Sequence, residues 1–219
     1  MTRRTPLRTA LFGASAAVGL ALLGGCAAAP AMETRGPMVP AGGMAPAGSM
    51  APAQLATMLT AWPATSREVA ETIIEKYGAP HETTASMLIW HNNGPWKRTI
   101  VYRDTVPHHF PMPHPDLLEQ VVNYRVPLDR YDEIAQYDGS VIVERTKGEM
   151  AARCDKEGAN FLALNLAHEV ATGRRTVEEA RRFYGEQIRM MKNDEMTPYT
   201  SGLMFTPPAS GADPDQPIM

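Results

Sequence analysis

Hydrophobic positions between residues 58 and 193 recur with two different periods, which predict one domain of mixed helices and strands. A helical period precedes Gly78, and we expect this first helix to begin at a capping box formed by Thr65 and Glu68. A strand-like alternation follows in TTASMLIW and KRTIVYR, which HNNGPW joins into a hairpin. Because Pro95 has no N–H to close a two-residue Asn-Gly turn, we expect a wider loop there.

The second half of the domain continues the pattern with two further strands and three further helices. EQVVNYRV and SVIVERT alternate as strands, and LDRYDEIAQY between them has a helical period. A helix over residues 149–172 surrounds the apolar run NFLALNLA, and a last helix opens at a capping box of Thr176 and Glu179. The order α-β-β-β-α-β-α-α predicts the α+β class, with a small antiparallel or mixed four-stranded sheet and helices packed on one face.

The first 25 residues have the composition of a secretory signal peptide. Arg3, Arg4 and Arg8 precede an apolar run over residues 11–23, and small residues follow it. This run is too short for a permanent membrane helix, which needs about 20 apolar residues. We therefore expect residues 1–25 to be removed after export.

The motif LGGC at residues 23–26 resembles the lipobox of bacterial lipoproteins. The resemblance implies cleavage before Cys26 and attachment of lipid, including palmitate, to this residue. Ala27 after the cysteine is similar to the sorting signal for the outer membrane. The resemblance thus implies a lipoprotein of the bacterial cell envelope, anchored in the outer membrane and facing the periplasm. A plain signal peptide in front of a chance cysteine is the alternative.

Two segments without globular patterning flank the domain. Residues 26–57 are rich in alanine, proline, glycine and methionine, a composition that predicts a disordered tether. Residues 194–219 contain five prolines and predict a disordered tail. The predicted organisation is therefore a signal peptide at 1–25, the lipidated cysteine and tether at 26–57, a single α+β domain at 58–193 and a tail at 194–219.

The charge balance argues against nucleic acid as a partner. The whole chain has 21 basic and 24 acidic side chains, and three of the arginines lie in the signal peptide. The mature chain would therefore carry 18 basic and 24 acidic side chains, a net charge of −6. Nucleic-acid binding rests on basic side chains that neutralise phosphates, which this chain lacks in excess.

Cys154 is the single thiol left in the mature chain once Cys26 carries lipid. No intrachain disulfide can then form. We expect Cys154 to be a small buried residue of the helix over 149–172, and a reactive thiol is the alternative.

Several segments of the domain look like a family of exported bacterial proteins of unknown function. They are EKYGAP, LIWHNNGPWKRTIVYR, YDGSVIVERTKGEMAARCDKEG and EEARRFY, and they cover most of the folded region. This resemblance implies export but supplies no activity, cofactor or site residue.

The segment VPHHFPMPHPD, residues 106–116, is the first of two candidate sites. Four of its residues belong to the types that hold zinc or copper: His108, His109, His114 and Asp116. Because two adjacent histidines cannot easily face one centre, a metal site would combine one of the pair with His114, Asp116 or His91. Since prolines at 107, 111, 113 and 115 stiffen the backbone, a rigid structural or partner-recognition loop is the alternative.

The segment WHNNGPWK, residues 90–97, is the second candidate site. Its two indole rings flank a histidine and two amides, a combination that can hold a sugar or an extended peptide. The candidate ligand-binding residues are Trp90, His91, Asn92, Asn93, Trp96 and Lys97. The alternative is that a tryptophan packs in the core and the asparagines supply turn conformations.

Motifs of common enzymes are missing from the sequence. His168 and Glu169 begin the two-histidine helix motif of zinc proteases, but Thr172 stands where the second histidine is needed. No phosphate-binding glycine loop, dinucleotide fingerprint or serine-hydrolase elbow occurs. The leading hypothesis is a non-enzymatic binding or scaffolding lipoprotein without a cofactor, whose partners are the membrane and an envelope protein or peptidoglycan. The alternative is a zinc- or copper-binding protein or a hydrolase that uses the histidine-proline loop.

Overall fold

A computed structural model describes residues 50–211, 213 and 215–219. The predicted signal peptide, the lipobox with Cys26 and most of the predicted tether lie outside the described residues. Within the described part of the chain, no helix has the length and apolar character needed to cross a membrane.

In the part of the chain that the structure describes, six strands form one antiparallel sheet in the order β1-β2-β3-β4-β6-β5. The strands are β1 Glu82–Thr83, β2 Met87–Asn93, β3 Trp96–His108, β4 His114–Asn123, β5 Val141–Glu144 and β6 Glu149–Cys154. Hairpins join β1 to β2, β2 to β3, β3 to β4 and β5 to β6, whereas the connection from β4 to β5 contains a helix. This longer connection places β6 beside β4 and leaves β5 at the edge.

Within the described residues, six α-helices accompany the sheet. They are α1 Pro52–Leu59, α2 Ala64–Tyr77, α3 Tyr131–Tyr137, α4 Glu157–Ala171, α5 Val177–Lys192 and α6 Pro198–Ser201. The strand register places Leu88, Val101 and Leu118 on the same face of the sheet as Cys154. One core cluster forms on this face beside α1 and α2, and a second forms beside α3, α4 and α5. The helices therefore pack on one face, and the alternation of apolar residues along the strands supplies that face.

The predicted α+β class is confirmed, and the predicted four strands in the order α-β-β-β-α-β-α-α are wrong in detail. Residues 149–154 form β6 instead of the start of a helix, and α4 begins only at Glu157. EMAARC pairs with β4 on one side and β5 on the other, which buries Met150 and Ala152 beneath the helices. Pairing with two neighbours thus overrides the helical propensity of a short alanine-containing run. The two-residue β1 provides the sixth strand.

The connection between β2 and β3 is tighter than predicted. Asn93 pairs with Trp96, so that Gly94 and Pro95 alone form the turn. Gly94 has φ +58°, as the first central residue of a type II′ turn requires, and proline at the second position has an acceptable φ. The N–H that closes such a turn belongs to Trp96. The prediction of a wider loop is therefore wrong, because it centred the turn one residue too early.

The predicted start of the first helix is wrong, whereas its predicted end is confirmed. α2 begins at Ala64 after Pro63 and has no side-chain cap, so the predicted capping box of Thr65 is wrong. The predicted end at Gly78 is confirmed, since this residue has φ +82° and its N–H bonds the last turn of α2.

The ordered fold extends beyond the predicted domain at both ends. Leu55 and Leu59 of α1 are buried in the core beside α2, which corrects the predicted tether boundary at residue 57. Beyond residue 194, the side-chain amide of Asn165 donates to the backbone oxygen of Tyr199 at 3.1 Å, and the Tyr199 ring packs against the core. These contacts correct the prediction of disorder for the segment that contains α6. Composition alone does not reveal them, because they depend on core surface contributed by distant segments.

Candidate metal centre

The hairpin of β3 and β4 brings three of the predicted metal ligands to one place. His108 lies opposite His114, and Asp116 lies two residues further along β4, opposite Val106. Opposite residues of a strand pair share a face, and so do residues two apart on one strand, which places all three side chains on one side of the hairpin. His109 follows the last residue of β3 and is exposed, so the structure separates it from the other three.

The three side chains form a group of the size that one metal ion requires. One ligand atom from each of His108, His114 and Asp116 lies within 4.8 Å of the other two. Nε2 of His114 is 3.3 Å from Oδ1 of Asp116. Two ligands at about 2.0–2.1 Å from a tetrahedral zinc ion would be roughly 3.3–3.4 Å apart, so this separation fits without rearrangement.

Hydrogen bonds from outside the group orient two of the ligands. Nδ1 of His114 lies 2.8 Å from the backbone oxygen of Met112, which requires a proton on Nδ1 and leaves Nε2 as the atom for a metal. The Ser140 hydroxyl donates to Oδ2 of Asp116. Oδ1 of Asp116 has no hydrogen-bond partner of acceptable geometry within the described part of the chain, although the residue is only 6% exposed. A buried carboxylate oxygen without a partner is costly, and a bound cation would satisfy it.

The surrounding charges also favour a cation. Asp116 raises the pKa of His114 to about 11, because its carboxylate lies within hydrogen-bonding reach of the protonated imidazole. Burial lowers the pKa of His108, against the opposing effect of Asp116. Asp138 has its Oδ1 3.6 Å from Nε2 of His108, and burial raises the pKa of this carboxyl to about 6. Two carboxyl groups therefore converge on the two imidazoles, and a metal ion would offset the negative charge that they develop.

Helix α5 holds the tip of this hairpin in position. Phe110 packs against Tyr184 with ring centroids 5.2 Å apart. The guanidinium of Arg181 lies 3.8 Å from the centroid of the Phe110 ring and also donates to the backbone oxygen of Tyr137 at 2.6 Å. The loop between His108 and His114 is thus tied to α5 and to the end of α3, which keeps the two histidines facing each other.

Ser140 and Asp138 belong to the surroundings of the site, and the sequence did not single them out. Asp138 follows the last residue of α3, and its Oδ1 accepts from the backbone N–H of Ser140 at 2.9 Å. The Ser140 hydroxyl is 3.1 Å from Nδ1 of His108 but donates its proton to Asp116. A hydroxyl has one proton, so Ser140 is engaged in orienting the carboxylate and is not poised as a nucleophile with His108 as its base. The local signal is an Asp-Gly-Ser turn, which does not reveal a contact 24 residues away.

Cys154 lies at the end of β6, next to the site but outside the group of three. Its thiol donates to Oδ1 of Asp155 at 3.5 Å, and burial raises its pKa, which keeps it a thiol. The prediction that Cys154 is buried is confirmed, whereas its predicted position in a helix is wrong.

The candidate metal centre opens to solvent along a groove. His108, His109 and His114 line this groove together with the neighbouring prolines, and its volume is about 290 Å³. A metal held by three protein ligands keeps a fourth position for water or another ligand. The groove leaves room for such a ligand.

The segment WHNNGPWK does not present two aromatic faces to solvent. Trp90 is 0% exposed and Trp96 is 1% exposed. Nε1 of Trp90 donates to the backbone oxygen of Gly78 at 2.9 Å, and Nε1 of Trp96 donates to Glu157 at 2.6 Å. The predicted ligand surface formed by Trp90, His91, Asn92, Asn93, Trp96 and Lys97 therefore lacks the rings on which it depended. Both tryptophans pack in the core, and this burial agrees with the alternative interpretation.

Comparisons with protein-family models, with curated proteins and with solved structures find no match to this chain.

Proposed function

We propose that this protein binds a transition-metal ion, zinc or copper, through His108, His114 and Asp116. The observation that carries this proposal is the buried Oδ1 of Asp116, which lacks a partner among the described residues and lies 3.3 Å from Nε2 of His114. Two imidazoles and a carboxylate are a donor set that suits Zn(II) and Cu(II). The proposal takes up the alternative hypothesis from the sequence, a zinc- or copper-binding protein that uses the histidine-proline loop.

An ion pair between protonated His114 and Asp116 is the competing explanation of the cluster. It accounts for the raised pKa of His114. It gives no role to His108, whose pKa is lowered mainly by burial and further by His114, so the second ring stays neutral beside the first. A neutral imidazole that faces a buried carboxylate is what a metal site requires, since metal ligands must be deprotonated.

Elemental analysis of the protein, purified without a histidine tag, tests the metal proposal. We expect stoichiometric zinc or copper after exposure to the metal. His114→Ala should weaken zinc binding by at least about 100-fold, because it removes a ligand. His109→Ala is the matched control, since it makes the same chemical change on an exposed residue of the same loop and should bind as wild type does.

Two results would contradict the metal proposal. Wild type that takes up no stoichiometric metal, or equal zinc affinities of the His114→Ala and His109→Ala variants, would overturn the proposal in favour of the ion pair. Thermal unfolding of each metal-free variant shows whether the fold is retained. Ser140→Ala adds a further check, because loss of the bond that orients Asp116 should weaken zinc binding by about 10–100-fold.

We further propose that the protein is a lipid-anchored component of the bacterial cell envelope, located in the outer membrane and facing the periplasm. The support is the basic start of the chain, the apolar run over 11–23 and the LGGC motif at 23–26, all outside the described residues. Labelled palmitate should be incorporated into wild type and lost in Cys26→Ala. Cys154→Ala, which changes the other cysteine, should be labelled like wild type. Equal labelling of wild type and Cys26→Ala, or none in either, would contradict the anchor.

A further inference from the structure

A second cavity adjoins His114 where the hairpin tip meets β6, α4 and α5. Its volume is about 200 Å³. Apolar side chains form most of its wall, namely those of Pro111, Pro113, Ala159, Ile188 and Met191. The cavity shares Pro113 and His114 with the groove of the candidate metal centre and is otherwise built from different residues.

A tyrosine hydroxyl in the wall of this cavity has no hydrogen-bond partner among the described residues. Tyr184 is 2% exposed, and its ring is held by Phe110 and Tyr137. Its side chain lines the cavity, and its hydroxyl makes no hydrogen bond within the described part of the chain. This hydroxyl can form a hydrogen bond with an occupant that has a polar atom, which a pure hydrocarbon lacks.

The charged residues of the cavity are mostly cationic. Lys156 and Lys192 both line it, and Asp155 is the one carboxylate in its wall. Nζ of Lys156 is 3.5 Å from Asp155, so this pair is nearly balanced. Nζ of Lys192 contacts the Met112 thioether at 3.8 Å and pairs with no carboxylate of the described residues. Lys192 is thus free to pair with an anion that enters the cavity.

We propose that this cavity binds a small organic acid, with an apolar body in the cavity and a carboxylate that pairs with Lys192. Its volume corresponds to that of about six or seven water molecules, at roughly 30 Å³ each, which limits the acid to about six to nine non-hydrogen atoms. The apolar body contacts Ala159, Ile188 and Met191. Small ligands gain between about 0.3 and 1.5 kcal/mol of binding free energy per non-hydrogen atom. At about 0.5 kcal/mol per atom, an acid of this size binds with a Kd on the order of 1 mM.

Titration of the zinc-free protein with hexanoate, followed by NMR of its methyl groups, tests this proposal. We expect the signals of Ala159, Ile188 and Met191 to shift with increasing hexanoate. 1-Hexanol, which has the same apolar chain without the charge, should bind about fivefold more weakly. Zinc-loaded protein should give the same methyl shifts, a readout that does not depend on the metal proposal.

Two variants of α5 test the role of the lysine. Lys192→Gln should weaken hexanoate binding by about threefold to fivefold, as expected for the loss of an exposed ion pair. Arg189→Gln removes a positive charge from an exposed position of the same helix and should leave the affinity unchanged. Absence of methyl shifts at hexanoate concentrations well above the expected Kd would overturn the proposal. Equal binding of hexanoate and 1-hexanol, or equal weakening by the two variants, would overturn the assignment of an acid.

Discussion

Glu157 of α4 connects three other elements of the fold, and nothing in the sequence around it indicates these contacts. Its carboxylate lies at the first residue of α4 and accepts hydrogen bonds from four side chains: Lys76, Tyr77, Trp96 and Gln120. The bonds from Tyr77 and Trp96 are both 2.6 Å long. These donors come from α2, β3 and β4, so a single partly buried carboxylate connects the two halves of the helix-covered face. Charge-assisted bonds of this kind are stronger than neutral ones.

Removal of this carboxylate should destabilise the fold. Glu157→Ala leaves the donors of Tyr77 and Trp96 without a partner in a buried place, so we expect a loss of about 2–4 kcal/mol in the free energy of unfolding. Glu186→Ala, an exposed change on α5, should stay within about 0.5 kcal/mol of wild type. Urea denaturation of the two variants measures the difference. Similar unfolding midpoints would show that the four bonds contribute little.

The same carboxylate predicts how stability depends on pH. Burial raises the pKa of Glu157, but the bonds from Lys76, Tyr77, Trp96 and Gln120 lower it more, and its net value lies below the ordinary 4.5. A carboxylate whose pKa is lowered on folding stabilises the protein above that ordinary value and loses this contribution as the pH falls through the folded pKa. We expect wild type to lose stability below about pH 4.5 and Glu157→Gln to lose less over that range. Urea midpoints at neutral and acidic pH would contradict this if both proteins changed in parallel.

Two glycines differ in whether the backbone requires them. One lies in the turn between β2 and β3, and the other lies in the middle of α5. Gly94 has φ +58°, and an added Cβ would lie 3.0 Å from the ring of Tyr77. Gly185 lies within α5, and an added Cβ there would meet nothing within 4 Å. The backbone conformation of the turn therefore requires glycine, whereas the helix does not.

These two glycines should respond with opposite signs to the same substitution. Gly94→Ala should lower the free energy of unfolding by about 1–2 kcal/mol, because alanine is strained at positive φ and contacts Tyr77. Gly185→Ala should raise it by about 0.5–1 kcal/mol, because alanine is the better helix former. Thermal or urea unfolding gives both values. A change of the same sign in both variants would contradict the assigned turn.

Among the secondary-structure elements, the helix ends that depend on a few neighbouring residues were predicted correctly. The capping box of Thr176 and Glu179 is confirmed at the start of α5, and so is the end of α2 at Gly78. Both signals lie within a few residues of the feature that they produce. The strand over 149–154 was missed because its burial depends on pairing with β4 and β5, and nothing in EMAARC itself specifies these neighbours.

At the scale of the whole molecule, the segment after α5 forms part of the domain. Tyr199, Leu203 and Phe205 pack against the core, and Asn165 donates to the carbonyl oxygens of Tyr199 and Gly202. Arg145 also pairs with Asp215 near the end of the chain. This proline-rich segment is therefore ordered, because its apolar side chains pack against the core.

Truncation separates the structural part of this segment from its end. Removal of residues 194–219 should lower the free energy of unfolding by at least about 2 kcal/mol, because several partly buried apolar side chains lose their contacts. Removal of residues 216–219, which are exposed, should leave stability within about 0.5 kcal/mol of wild type. Urea denaturation of the two truncated chains checks this. Equal stabilities would return the segment to the predicted disordered tail.

Local sequence patterns alone predicted the α+β class, the β2–β3 hairpin and the segment in which the proposed metal ligands lie, because periodicity and residue type are local properties of the chain. The sequence did not show which histidine of the adjacent pair faces His114, since strand pairing in the folded protein places His108 opposite it and leaves His109 outside. Tertiary contacts also brought Ser140 to Asp116 and buried both tryptophans of WHNNGPWK. These outcomes depend on contacts between segments far apart in sequence, which form only when the sheet and its helices close around a common core.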